Sequence, residues 1–126
     1  MFRIGESDHP TNNFGHGVFN TNTTAAVTGQ QNRDGSFIGV PNNFAITVND
    51  IGAFFNAGDN NGHSYFVGKR VYSGNTLRAQ ATILIHELAH VLSASGFQAD
   101  AGIPKAGKAN DGLVDKNCRS LIEGLQ

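Results

Sequence analysis

Residues 81–100 read ATILIHELAHVLSASGFQAD, and the reading of this stretch decides the rest of the chain. Glu87 is its one charged side chain before Asp100, set among Ile, Leu, Ala and Val, with His86 and His90 on either side of it. On a helix, residues four apart stand about 40° from one another and roughly 6 Å along the axis. His86 and His90 therefore turn their imidazoles to one point, as two ligands of one metal ion must.

Glu87, one residue on from His86, projects to the side. From there it reaches a water at that metal without ligating the metal itself. His86, Glu87 and His90 together spell HExxH, whose mechanics are those of zinc-dependent peptide hydrolysis.

The flanks sharpen the signal. Leu77, Ala81, Leu84, Leu88 and Val91/Leu92 fall on one stripe at helical spacing, which is expected to face the core. The histidines lie on another side, with Ala79, Ile83, Ala89 and Ala94, so that side is apolar as well. A helix apolar nearly all round is buried nearly all round. A buried carboxylate is costly unless a cation or hydrogen bonds compensate it, and bound Zn²⁺ would do so. The competing reading pairs the histidines with backbone carbonyls and Glu87 with Arg78 or Lys69.

The bulk numbers bound the class. A chain of 126 residues suggests one domain, 1–126, with a single core. It is 39% hydrophobic and only 15% charged, with 16 glycines, which favours a loop-rich domain over a helical bundle. A net charge of −1, with no basic cluster beyond Gly68-Lys69-Arg70, argues against nucleic-acid binding. One cysteine, Cys118, permits no internal disulfide. No segment has the length of a transmembrane helix, so no membrane partner is expected. Low charge with abundant Asn and Gly resembles an exported, extracellular bacterial protein. MFRIGESDHP has no apolar signal segment, so an export address would have been removed or would lie elsewhere in a longer parent chain.

Along the chain, residues 1–35 are polar and loop-rich, with one short strand expected around Val18–Phe19. Phe44, Ile46 and Val48 alternate with Ala45, Thr47 and Asn49, the period of a half-buried strand. Residues 56–62, NAGDNNG, signal a turn. Residues 64–72 read as one more strand or as a hairpin broken at Gly68. Thr76 is the expected N-cap of the HExxH helix, which should run from Leu77 to about Ser95, with Gly96 as C′. A loop containing Gly102, Pro104 and Gly107 should follow. A last helix, roughly Asn110 to Leu125, would bury Leu113, Val114, Cys118, Leu121, Ile122 and Leu125.

HELAH and its apolar flanks resemble the zincin metallopeptidases. That resemblance implies an α+β fold: a small mixed sheet, then the HExxH active-site helix, then a C-terminal helix. Metzincins do not fit, because Ser93 stands where their Gly would be, Gly96 where their third His would be, and no methionine follows Met1. Aspzincins take an Asp about ten residues past the second His, where Asp100 stands, although their downstream oxyanion-stabilising Tyr is missing here. Gluzincins take a Glu from a second helix, where Glu123 is the one downstream candidate. Asp111, Asp115 and an upstream His complete the alternatives. A looser resemblance, through His86, Glu87, His90, Asp100, Asn110, Val114, Asn117 and Cys118, is to zincin-like domains of large exported bacterial proteins, including RHS-associated ones.

The expectation is therefore a zinc metallopeptidase, endopeptidase in action, with His86, His90 and Asp100 on Zn²⁺ and Glu87 as general base. Its partner would be a peptide or protein substrate added as a strand near 64–72 or 44–49. The alternative is a zincin-like binding or toxin-associated module whose metal is not catalytic. Tyr65, Tyr72, His63 and Arg78 are candidates for oxyanion stabilisation, though packing or surface roles are the commoner ones for such residues. His9 and His16 read as surface histidines, and Cys118 as buried and inert. Asn110 or Asn117 could hydrogen-bond a ligand from behind.

Overall fold

β-Branched Ile46, Thr47 and Val48 suit a pleated, enclosed strand, and the chain puts them at the centre of a sheet. The computed structural model describes residues 2–5, 25–29, 33, 44–49, 52–57, 64–67, 70–100 and 103–126. Strands β1 (Phe2–Gly5), β2 (Ala25–Gly29) and β3 (Phe44–Asn49) form one sheet in the order β1-β3-β2. β1 runs parallel to β3, with Phe2 opposite Ile46, and β2 antiparallel, with Val27 opposite Ile46. The sheet is therefore mixed, and the chain is α+β. β1 and β2 fall in the region expected to be loops, while Val18–Phe19 lie outside the described residues.

The expected alternation of β3 is not found. Ala45, Ile46, Thr47, Val48 and Asn49 are all buried, because a central strand is covered on both faces. With partners on both edges, β3 cannot accept a further strand, which removes 44–49 as a docking edge. β4 (Ser64–Val67) and β5 (Arg70–Ser73) pair antiparallel in a separate two-stranded sheet, as the hairpin reading expects, while Gly68 lies outside the described residues.

Helix α1 (Leu77–Val91) begins where its cap chemistry directs. The Thr76 side chain accepts the Ala79 N–H, and its hydroxyl donates to the Ser73 carbonyl. Asn75, at φ 56°, turns the chain into the helix and donates its N–H to the Ala53 carbonyl. The helix stops earlier than Ser95. Ser93 takes the left-handed conformation at φ 50°, and Ala94 N–H donates to Ala89 O while Ser93 N–H donates to His90 O. That is a Schellman pair with serine where glycine is usual. Gly96 is also left-handed, at φ 86°, but it serves a later turn.

α1 is also rotated relative to the expected stripe. Ala79, Thr82, Ile83, His86, Glu87 and Val91 are its buried residues. Leu77, Leu88 and Leu92 are exposed, Leu92 by 67%. Apolarity on both sides could not orient this helix. What orients it is the polar side, whose histidines, among the described residues, find carboxylates toward the second helix and the loop before it.

Helix α2 (Pro104–Glu123) starts six residues before the expected Asn110. Pro104 occupies its first turn, where a missing N–H costs nothing, so proline here opens a helix and does not mark a loop. Its buried positions recur every fourth residue: Ala106, Asn110 and Val114, then Ile122, with Cys118 partly buried between them. Leu121, expected inside, is exposed. α1 lies between two apolar clusters. Ile83 packs with Val48, Ala53 and Phe54, and Ala79 packs with Tyr72, Val114 and Ile122. Arg78 fastens the far end, donating Nε to Leu125 O at 2.8 Å and Nη2 to Glu123 O at 2.9 Å. Glu123 is the last residue of α2 and Leu125 lies just past it, so these carbonyls stand at the helix C-terminus, where a cation is favoured.

The rotation of α1 is testable by truncation. Ile83, 1% exposed, should lose about 2–5 kcal/mol of stability as Ile83→Ala. Leu92→Ala should stay within about 0.5 kcal/mol of wild type. Urea unfolding of both variants would show the reverse order if the leucine stripe faced inward.

Candidate metal centre

The helical spacing performs as its geometry requires. His86 Nε2 and His90 Nε2 lie 3.2 Å apart, and both face Asp100 Oδ2, at 2.9 and 3.1 Å. Asp100 comes from the irregular stretch after α1, which the turn at Gly96 folds back over the helix end. These three residues form a group that could hold a metal ion, with one ligand atom from each.

Asp111, one of the weaker candidates for a ligand, has a different place. Its Oδ1 lies 2.7 Å from His86 Nδ1. An ionised carboxylate only accepts, so Asp111 accepts the Nδ1–H of His86. Nε2, whose own proton faces Asp100, is the atom a metal would take once that proton is expelled. No sequence spacing foretells this pair, because it arises where α2 crosses α1. Phe97 sets its ring edgewise against both imidazoles, with centroids 5.5 Å from His86 and 5.2 Å from His90. The aromatic wall fixes ring orientation without competing for the nitrogens.

The electrostatics follow from burial and pairing. Burial alone would lower the pKa of His86, but Asp100 and Asp111 outweigh it and raise the group to about 10. Burial would likewise raise Asp100, yet His86, His90 and Asn110 on its carboxylate hold it well below the usual range. Glu87 is 9% exposed, and burial pushes its carboxyl up to about 7 against the pull of His86 and His90. Among the described residues no hydrogen bond reaches its carboxylate.

Other sequence candidates are not brought to the site. Glu123 ends α2 at the Arg78 end of α1, about 12 Å along the axis from His86. Arg78 is engaged there, and so neither pairs with Glu87 nor faces the histidines. Asp115 pairs with Arg119 across one helical turn, at 2.6 Å. Tyr72 is buried in the apolar cluster with Ala79 and Val114. Asn117 donates to the Leu113 carbonyl of its own helix, whereas Asn110 donates to Asp100 Oδ2 at 2.8 Å. Cys118 packs beside Val114 and Ile122 as a free thiol. Tyr65 lies opposite Tyr72 in the hairpin register, and His9, His16, His63 and Lys69 lie outside the described residues. No described helix is long and apolar enough to cross a membrane.

Comparison with known proteins returns nothing. No family model, curated protein or solved structure matches the chain. The reading of the site therefore rests on its own geometry.

Two outcomes check that geometry. Asp111→Ala should weaken metal binding about 10–100-fold, measured by competition with a chromophoric chelator, because His86 loses the group that fixes its tautomer. The pH dependence has a definite sign. With its pKa near 10, His86 holds a proton at pH 7 that a metal must expel, so affinity should rise with pH. One released proton gives about a tenfold gain per unit between roughly pH 7 and 9. A pH-independent affinity would contradict the protonated pair.

Proposed function

We propose that this chain is a zinc-dependent peptidase with a zincin-like α+β fold. The supporting observation is the convergence of His86 Nε2, His90 Nε2 and Asp100 Oδ2 at mutual distances of 2.9 to 3.2 Å, beside a buried glutamate. Ligand atoms at about 2.0–2.1 Å from a tetrahedral zinc stand about 3.3 Å apart, so the three atoms need almost no rearrangement. Two imidazoles and one carboxylate are a borderline donor set that suits zinc better than calcium or magnesium.

Zinc held there would supply Lewis-acid chemistry, polarising a peptide carbonyl and making a water acidic at neutral pH. The chain's own residues do the rest. Asp111 keeps the Nδ1 proton on His86, so that Nε2 stays a donor to the metal. Phe97 covers the imidazole edges and limits water there. Glu87 takes the proton of the attacking water and delivers it to the leaving amine. Its seat in an apolar helix, without a hydrogen bond among the described residues, keeps its carboxylate available for that transfer. The substrate would lie extended along the β4–β5 hairpin.

Glu87→Gln preserves shape and removes the base. It should keep zinc and lose about 10²–10⁴ in peptide hydrolysis. Undiminished turnover would end the general-base assignment, and a wild type that holds zinc but cleaves no peptide would favour a non-catalytic metal site. Asp100→Ala should lower zinc occupancy far more than Glu123→Ala; the opposite ranking would move the third ligand onto α2.

A further inference from the structure

Asp100 is the weak point of the proposed centre. His86 and His90 ride on a helix, but Asp100 sits in a stretch with no helix or strand of its own. A ligand offered from such a segment is only as well placed as what holds it. Its backbone carbonyl accepts the Ile103 N–H at 2.8 Å, which fixes the turn into α2 and leaves the carboxylate to rotate.

The carboxylate is held by Asn110. This residue is fully buried in α2, where asparagine is a poor helix former and a buried amide is tolerated only when its polar atoms are used. Among the described residues, its three side-chain hydrogen bonds all go to residues 98–100. Oδ1 accepts the Gln98 N–H at 2.9 Å, and Nδ2 donates to the Gln98 carbonyl and to Asp100 Oδ2, both at 2.8 Å. None goes to its own helix. The amide thus grips the loop backbone as a neighbouring strand would and, with its second proton, steadies the one oxygen that faces both imidazoles. A carboxylate oxygen has two lone pairs, so the Asn110 bond can persist while a metal takes the side now facing the histidines.

We propose that Asn110 is a positioning residue that presets Asp100 Oδ2 for the metal, and so sets how tightly the centre binds and with what coordination. Adjacent residues of one α2 turn then divide the work: Asp111 orients His86, and Asn110 orients Asp100. The inference rests on the metal-centre reading but not on peptidase activity.

The test uses Zn²⁺ and Co²⁺ alone, with the full chain. Asn110→Ala should bind Zn²⁺ about 10–100-fold more weakly and shift the visible d–d bands of the Co²⁺ form, as Asp100 leaves or changes its mode of ligation. Val114→Ala, a neighbour on the same buried stripe, should lower stability and leave both metal readouts unchanged. In an Asp100→Ala background, adding Asn110→Ala should change affinity less than about twofold, since its effect runs through Asp100. Should Asn110→Ala not fold, Asn110→Ser keeps a hydroxyl for the backbone but cannot reach Asp100, and the same losses are expected. Wild-type affinity and an unchanged cobalt spectrum in either variant would overturn the proposal, as would equal loss with and without Asp100. If the wild type binds neither ion, the metal centre falls and this proposal with it.

Discussion

The fold turns on one shared oxygen. Asp100 Oδ2 stands within hydrogen-bond distance of two imidazole nitrogens and an asparagine amide. Charge and polarity so concentrated between two packed helices call for partners close at hand, since His86 is buried and Asp100 and His90 are only partly open to water. The satisfaction comes from α1, from the loop after it and from α2 together. The cluster therefore fixes how the two helices cross, and with Arg78 fastening the other end, α2 is pinned to α1 at two places along its length.

That constraint also explains the outward leucines. Leaving a large aliphatic side chain in water forfeits about 1.5–3 kcal/mol, so exposing Leu77, Leu88 and Leu92 is a real loss. Turning α1 to bury them would carry His86 and His90 away from Asp100, and His86 from Asp111. Removing one partner of a buried charge pair costs about 3–5 kcal/mol. His86 would lose two carboxylates at once, a loss at least as large as that of three leucines that remain partly covered. Ile83 and Ala79 carry the apolar packing that remains, one toward the sheet and one toward α2.

The group that could hold a metal is legible from residues 86–100, because HExxH sets two side chains on one helix face and Asp100 follows ten residues on. The start of α1 was equally plain, since Thr76 caps it by a local hydrogen bond. Its rotation was not, because both of its faces are apolar and only tertiary partners choose between them. α2 begins six residues before its sequence signals suggest, because Pro104 and Gly107 signal loops in isolation. In place, Pro104 opens the helix and Gly107 lies where even an added Cβ would come to 3.9 Å from Asp100 Oδ2. The role of Asp111 had no sequence signature at all, since a contact between residues 25 apart depends on the crossing of two helices.

The central claim is that His86, His90 and Asp100 form one zinc centre with an open position. X-ray absorption at the zinc K edge of the loaded protein tests it most directly. The account predicts one zinc per chain, a first shell of four nitrogen or oxygen atoms at about 2.0–2.1 Å, and outer-shell scattering from two imidazoles. A protein that takes up no stoichiometric zinc would contradict it, as would a shell containing the Cys118 sulfur or one lacking the two-imidazole pattern.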